Sequence, residues 1–147
     1  MGLGIRDDQF QWAVKFKKTL DGIAKKKGTA LPNYVFLGDL NTMGMKYPFD
    51  QSIKAETELK KLDQDVAKVG MRRLVKRVPH TWWNGLGSKL PPSDLDQVIA
   101  SRQIQFRKFD TSEIEVRGWP QLTSETEQGE WIRLHSDHAL LYFEVVK

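Results

Sequence analysis

Short runs of almost wholly apolar residues alternate along this chain with amphipathic segments that have the spacing of an α-helix. Such apolar runs are typical of buried strands, and the amphipathic segments predict helices that cover a sheet. The predicted strands are residues 34–37, 95–100, 104–109, 114–119 and 139–146. The predicted helices are about residues 7–26, 55–69 and 123–134. This alternation restricts the chain to an α/β fold, and we predict one domain over residues 1–147.

Two of these elements carry predictions about packing. The first helix, capped by Asp7 or Asp8, has its apolar residues at helical spacing on one face: Phe10, Ala13, Phe16, Leu20, Ile23 and Ala24. The last strand, residues 139–146, is apolar almost throughout, which predicts that it lies at the centre of its sheet.

The composition limits the class of protein. A hydrophobic fraction of 39% and a charged fraction of 29% are ordinary for a globular chain. No stretch approaches the roughly 20 apolar residues of a membrane span, and the first residues do not resemble a secretory signal. The absence of Cys excludes disulfides and thiolate chemistry and is compatible with the cytoplasm or the periplasm. We expect a cytoplasmic protein with no membrane partner.

The charge balance favours phosphate-bearing partners only slightly. The formal net charge is +4 at pH 7, which many proteins carry without binding nucleic acid. The most basic segment contains Arg72, Arg73, Lys76 and Arg77. These side chains either contact a phosphate backbone or form a solvated edge, and the sequence leaves both alternatives open.

Three polar clusters interrupt the apolar strands and indicate a function. Asp39 and Asn41 follow the first strand, Asp94 and Asp96 open a later one, and residues 135–138, with the sequence HSDH, precede the last. Each cluster alone is explained by turns, because Asp and Asn bond to the nearby backbone. Together they combine a carboxylate that can activate water, donors for phosphate oxygens and oxygen ligands for a divalent cation. This set predicts phosphoester hydrolysis.

The same clusters resemble three motifs of the endonuclease/exonuclease/phosphatase family, whose members are built like pancreatic deoxyribonuclease. Residues 36–41, FLGDLN, resemble its strand with a GDxN signature. Residues 93–101, SDLDQVIAS, resemble its SDLDxVxAS segment, and residues 136–138, SDH, resemble its closing motif. The motifs occur in family order, so the chain resembles the C-terminal half of such an enzyme.

The resemblance implies a role for each matching residue. Asp39 would position or deprotonate the attacking water, and Asn41 would hold Asp39 and donate to the phosphate. His138 would contact the scissile phosphate as a cationic donor. Asp96 would bond to His138 and raise its pKa, because a nearby anion favours imidazolium. Asp137 would lie near Mg²⁺ or Mn²⁺, the metals that the resemblance implies.

The loop of residues 79–92 offers further candidates for substrate binding. Trp82 and Trp83 either stack on a base or sugar or anchor the loop to the core. His80 either touches substrate or packs against these tryptophans. The sequence leaves both alternatives open for all three residues.

The chain departs from the family pattern because it lacks the first half, including the Gln-Glu motif whose Glu is the main metal ligand. The implied fold is half of a four-layer α/β/β/α sandwich, with one mixed sheet and helices on one face. The other face would be bare, which favours a homodimer or a missing N-terminal half. The expected function is metal-dependent hydrolysis of a phosphoester, in nucleic acid or another substrate. The alternative is a non-catalytic remnant or a module that binds phosphate or nucleic acid.

Overall fold

A computed structural model describes residues 3–44 and 53–146. The elements, in chain order, are α1 (Leu3–Lys27), β1 (Val35–Asp39), α2 (Ala55–Ala67), β2 (Met71–Arg73), β3 (Asp96–Ser101), β4 (Glu115–Arg117), a 3-10 turn (Trp119–Gln121), α3 (Glu125–Leu134) and β5 (Leu140–Tyr142). Helices and strands are mixed, as the alternating pattern predicts. None of the helices in these ranges combines the length and the apolar composition that crossing a membrane requires.

The strands form two small antiparallel sheets. One has the order β1-β3-β2, and the other pairs β4 with β5. This differs from the single mixed sheet that the family resemblance implies. A single parallel bridge between Lys76 and Ile114 connects the segment after β2 to the start of β4. The predicted strand at residues 104–109 is reduced to two isolated bridges, from Phe106 to Val145 and from Phe109 to Ser112.

Both faces of the central strand β3 are covered. On one face Ile99 packs in a cluster with Phe10 of α1 and Leu62 of α2. On the other face Val98 and Ala100 pack in a second cluster whose members include Trp119. Val98, Ile99 and Ala100 have no exposed surface. The expectation of a bare sheet face is therefore wrong for β3, because side chains of the second sheet and its loops fill that side.

Helix α1 is longer than predicted and buries a different face. It begins before Asp7, so neither Asp7 nor Asp8 is its cap.

The buried face of α1 contains Phe10, Val14 and Ala24, together with the charged residues Arg6 and Lys17. By contrast, Phe16 and Ile23 remain 53% and 46% exposed, although the sequence places both on the apolar face of the helix. On the side of α1 that faces α2, the polar side chains of Arg6 and Gln11 bond to Glu58 and Asp65.

A buried ion pair joins α1 to α2 and to the segment after β1. Arg6 donates from Nε to Glu58 at 2.8 Å. Arg6 also donates from Nη2 to the carbonyl of Gly44 at 2.8 Å, and the Gly44 N–H donates to Glu58 at 2.9 Å. Both charged side chains are almost fully buried. This closed set of bonds satisfies two charges that would otherwise be costly to bury.

The last strand does not lie at the centre of a sheet. β5 has three residues and pairs with β4. Leu140, Val145 and Val146 are each exposed by more than half. The prediction of a central final strand is therefore wrong. An apolar run alone does not distinguish a strand buried on both faces from one that exposes part of its apolar surface.

Candidate active site

The pairing of β1 with β3 places two carboxylates side by side. In the antiparallel register Asp39 lies directly opposite Asp96. Opposite residues of such a pair point to the same face with their Cβ atoms about 5 Å apart. Like charges in this arrangement destabilise a sheet unless a cation lies between them.

His138 occupies the position between the two carboxylates. Its Nδ1 lies 2.9 Å from Oδ2 of Asp96, a hydrogen bond, and its Nε2 lies 3.9 Å from Oδ2 of Asp39. The side chain of Asp96 is 13% exposed, and those of His138 and Asp39 are 32% and 36% exposed. The imidazole is therefore held on its inner side and accessible on its outer side.

The surroundings raise the pKa of His138 above its ordinary value. Partial burial acts to lower this pKa, but the hydrogen bond and charge of Asp96 raise it, as do the charges of Asp39 and Asp137. The carboxylates together outweigh the burial, so the pKa is raised overall. Imidazolium is therefore favoured at this position to a higher pH than for a free histidine.

Asn41 fixes the orientation of Asp39. Its N–H donates to Oδ1 of Asp39 at 2.9 Å, and its side-chain amide donates to Oδ2 at 3.1 Å. Asn41 has a φ of 52°, a left-handed conformation that asparagine tolerates better than most residues. The contact that the sequence predicts between Asn41 and Asp39 is present.

Asp137 bonds to the loop that contains the tryptophans. Its Oδ2 accepts from Nε1 of Trp82 at 2.8 Å, and its carbonyl accepts from the N–H of Trp83 at 3.0 Å. Within residues 3–44 and 53–146, no group of three acidic or histidine side chains is arranged to hold a metal ion. Asp137 is thus near the cluster, but the described residues do not complete a metal site around it.

The other predicted substrate-binding residues differ in position. Trp83 is 9% exposed and packs against Trp119 with ring centroids 5.9 Å apart. Of the open alternatives, Trp83 anchors the loop. Trp82 is half-buried and bonds to Asp137. His80 is exposed, and within the described ranges no hydrogen bond joins it to the cluster.

The sequence does not reveal the role of Thr81, which has no exposed surface. Its Oγ1 accepts from the N–H groups of Leu95 at 3.1 Å and Asp96 at 2.9 Å. Its carbonyl accepts from the N–H of Ala139 at 2.7 Å. One residue thereby holds both chain segments that carry the His138–Asp96 pair. A single threonine in a loop gives no periodic signal by which this role could have been predicted.

Asp94 has a structural role next to the cluster. Its carboxylate pairs with Lys76 and accepts from Nε2 of Gln97 at 2.8 Å. Its carbonyl accepts from Oγ1 of Thr42 at 2.6 Å, which links it to the segment after Asn41. Burial lowers the pKa of Lys76, and the charge of Asp94 opposes this. Asp96, and not Asp94, is therefore the carboxylate that His138 contacts.

The neighbouring arginines are also paired. Arg72 forms two bonds with Glu113, at 2.5 and 2.6 Å, and Arg73 forms two with Asp63, both at 2.9 Å. Arg77 is largely exposed and lies 3.3 Å from Asp110. The basic segment thus makes intramolecular ion pairs within the described residues.

No family model, curated protein or solved structure matches the chain.

Proposed function

We propose that this chain carries the phosphate-facing residues of a metal-dependent phosphoester hydrolase of the endonuclease/exonuclease/phosphatase family. The observation that carries the proposal is the position of His138, 2.9 Å from Asp96 and 3.9 Å from Asp39. An imidazolium held by one carboxylate and facing another can bind a phosphate beside an activated water. In this proposal a second copy or an N-terminal half supplies the groups that the described residues lack.

The gap between His138 and Asp39 suits a small oxygen-bearing group. A separation of 3.9 Å is too long for a direct hydrogen bond. An oxygen atom about 2.8 Å from each atom would contact both. Asp39 would orient the attacking water and take its proton as the water attacks phosphorus. His138 would donate from Nε2 to a phosphate oxygen and stabilise the negative charge that develops.

Asn41 would have two roles in this reaction. One hydrogen of its side-chain amide bonds to Asp39 at 3.1 Å and keeps that carboxylate oriented. An asparagine amide has a second hydrogen, which can donate to the phosphate. The positive φ of Asn41 turns the chain so that the amide reaches back to Asp39.

A bound Mg²⁺ or Mn²⁺ would supply positive charge to the phosphate. The described residues do not fit such an ion well, because they hold no group of three suitable side chains and Asp137 already bonds to Trp82. Asp137 could supply at most one ligand in this arrangement. The remaining ligands would therefore come from a further segment or a second chain.

An open groove beside the cluster can receive the rest of the substrate. Its volume is about 840 Å³, and it extends from Asp137 along α3. Asn84, Arg133 and Ser136 contribute polar side chains to its lining. These groups can bond to sugar or phosphate oxygens, which supports a nucleic acid or another polar phosphoester as substrate.

A second candidate function is phosphate binding without hydrolysis. It is favoured by one observation: Asp39, Asp96 and Asp137 each already accept a hydrogen bond from a neighbouring side chain. Three engaged carboxylates are less available to a metal, whereas Nε2 of His138 makes no hydrogen bond within the described residues and can still donate to an anion.

Cleavage of a plasmid and of bis(p-nitrophenyl) phosphate, with Mg²⁺ or Mn²⁺ present, tests the hydrolase. We expect Asp39→Asn and His138→Gln to reduce the rate by about 10²–10⁴-fold. His135→Gln is a matched control, because His135 is exposed and packs on Trp131 with ring centroids 4.9 Å apart. It should retain the wild-type rate.

Titration with inorganic phosphate separates the two candidates. No cleavage with either metal, together with phosphate binding that His138→Gln abolishes, supports the binding module. Neither cleavage nor phosphate binding by the wild-type chain rejects both functions.

A further inference from the structure

Helix α1 exposes an apolar stripe on the side that faces away from the sheet. The six positions of this α1 stripe follow one another in alternating steps of four and three residues: Ile5, Gln9, Trp12, Phe16, Thr19 and Ile23. All six are exposed, and Trp12 is exposed by 72%. Alternating steps of four and three are the spacing of a helix that pairs with another helix.

Within residues 3–44 and 53–146, most of the α1 stripe is not used for packing in the core. The opposite face of α1 carries Phe10 and Val14, which are buried in the core. Among the described residues, Tyr34 touches the edge of the stripe through Phe16, with ring centroids 5.7 Å apart. Large apolar side chains contiguous on a surface indicate an interaction site.

Apolar and polar residues are arranged symmetrically along the α1 stripe, with the midpoint at Val14. If a second α1 lies antiparallel with its midpoint at Val14, Trp12 faces Phe16 of the other copy. In the same arrangement Ile5 faces Ile23, so apolar residues meet apolar ones. The polar residues Gln9 and Thr19 also face each other, and a hydrogen bond can join them. A surface that matches itself under a twofold rotation is what an isologous dimer requires.

Charge favours the antiparallel arrangement over the parallel one. Lys25, Lys26 and Lys27 form the end of α1. A parallel pair would gather both lysine clusters at one end, where like charges repel. An antiparallel pair separates them and brings each cluster toward the end of the other copy that carries Asp8. The opposed helix dipoles contribute in the same direction.

The area is sufficient for a weak dimer. Ile5, Trp12, Phe16 and Ile23 are each 46–72% exposed. They present roughly 500 Å² per copy and roughly 1,000 Å² per pair, the lower limit for a specific interface. Ala13 and Gly22 flank the stripe and permit a close approach of the two helices. We infer that the α1 stripe binds the α1 stripe of a second copy of this chain, antiparallel and centred at Val14.

Cysteine pairing tests the geometry, because the chain has no native cysteine. Gln9→Cys and Thr19→Cys are prepared separately, mixed and oxidised. We expect disulfide-linked dimers in the mixture in excess over those that either variant forms alone. A parallel pair would give the reverse, since each variant would then link to itself, and that result would overturn the arrangement.

Sedimentation over a range of concentrations tests the association itself. The wild-type chain should shift from monomer to dimer, and Trp12→Glu should weaken the dimer by about tenfold or more. Leu86→Glu is the matched control, because Leu86 is 56% exposed outside α1 and should not affect association. Circular dichroism confirms that both variants are folded.

Lys15 supplies an independent variant. In the proposed pair it lies beside Val14 and therefore close to Lys15 of the other copy. Lys15→Gln should strengthen the dimer by removing this repulsion. A wild-type chain that stays monomeric at every concentration, or a Trp12→Glu variant that dimerises as the wild type does, would overturn the inference. Neither result depends on whether the chain is a hydrolase.

Discussion

Nδ1 of His138 lies 2.9 Å from Oδ2 of Asp96, although 42 positions separate the two residues in the chain. The bond fixes which ring nitrogen faces inward and leaves Nε2 toward Asp39. It also brings a carboxylate close enough to favour the imidazolium form of His138. The properties of the site therefore depend on contact between the start of β3 and the segment before β5.

Asp96→Asn should lower the pKa of His138 relative to the wild-type chain. The amide keeps a hydrogen bond to the ring but loses the negative charge that stabilises imidazolium. NMR titration of the histidine ring protons measures this directly. Asp110→Asn is the control, because Asp110 is exposed and contacts Arg77. An unchanged His138 titration in Asp96→Asn would contradict the observed contact.

The stability of the chain should depend on the ionisation of His138. Its pKa is raised in the folded state above the ordinary value of 6.5, so the folded state binds the proton more tightly. The resulting stabilisation is complete below pH 6.5 and is lost as the pH rises through the raised folded pKa. Urea unfolding of the wild type and His138→Gln across this window measures the effect. The free energy of unfolding of the wild type, relative to that of His138→Gln, should fall as the pH rises through this window.

Thr81→Val should destabilise the fold and disturb the site. Valine has a similar shape but cannot accept from the N–H groups of Leu95 and Asp96. Each buried donor left without a partner costs about 1–3 kcal/mol. Thr81→Ser keeps the hydroxyl and should restore most of the loss. The measurements are urea unfolding and the His138 titration, and equal behaviour of the two variants would exclude a role for the hydroxyl.

Removing one member of the buried Arg6–Glu58 pair should be costly. Arg6→Met leaves the Glu58 carboxylate charged and buried without its arginine partner. Of the bonds that Glu58 makes with Arg6 and Gly44, only the one from the Gly44 N–H remains. Removing one partner of a buried ion pair costs about 3–5 kcal/mol. The double replacement Arg6→Met with Glu58→Gln leaves no isolated charge and should lose less than Arg6→Met alone. Chemical denaturation of the three proteins measures this. A double variant less stable than Arg6→Met would contradict the explanation.

The sequence predicted the local structure well where the pattern was strong. The three helices and the strands at β1, β3 and β4 occur close to the expected residues. The periodic spacing of apolar residues is a local property of the chain, so it survives in the folded structure. The predicted contacts of Asn41 with Asp39 and of His138 with Asp96 are also present.

Packing between distant segments was not predictable in the same way. The sequence places Phe16 and Ile23 on the apolar face of the first helix, but both are exposed, and its prediction of a central final strand is wrong. Hydrophobicity indicates that a residue can be buried, but the neighbouring elements decide whether it is. Trp83, for example, is buried against Trp119, which lies 36 positions away in the chain.

By itself the sequence determined the mixed α and β composition and the three polar clusters with their order along the chain. The spacing of apolar residues and the types of side chain are properties of the local sequence, so they are the same before and after folding. Only the tertiary structure decided the distances at which Asp39 and Asp96 lie from His138, that Thr81 holds their segments, and that α1 exposes its stripe. The antiparallel register of β1 with β3 and the packing of α1 on α2 create these relationships, and both depend on contacts between residues far apart in sequence.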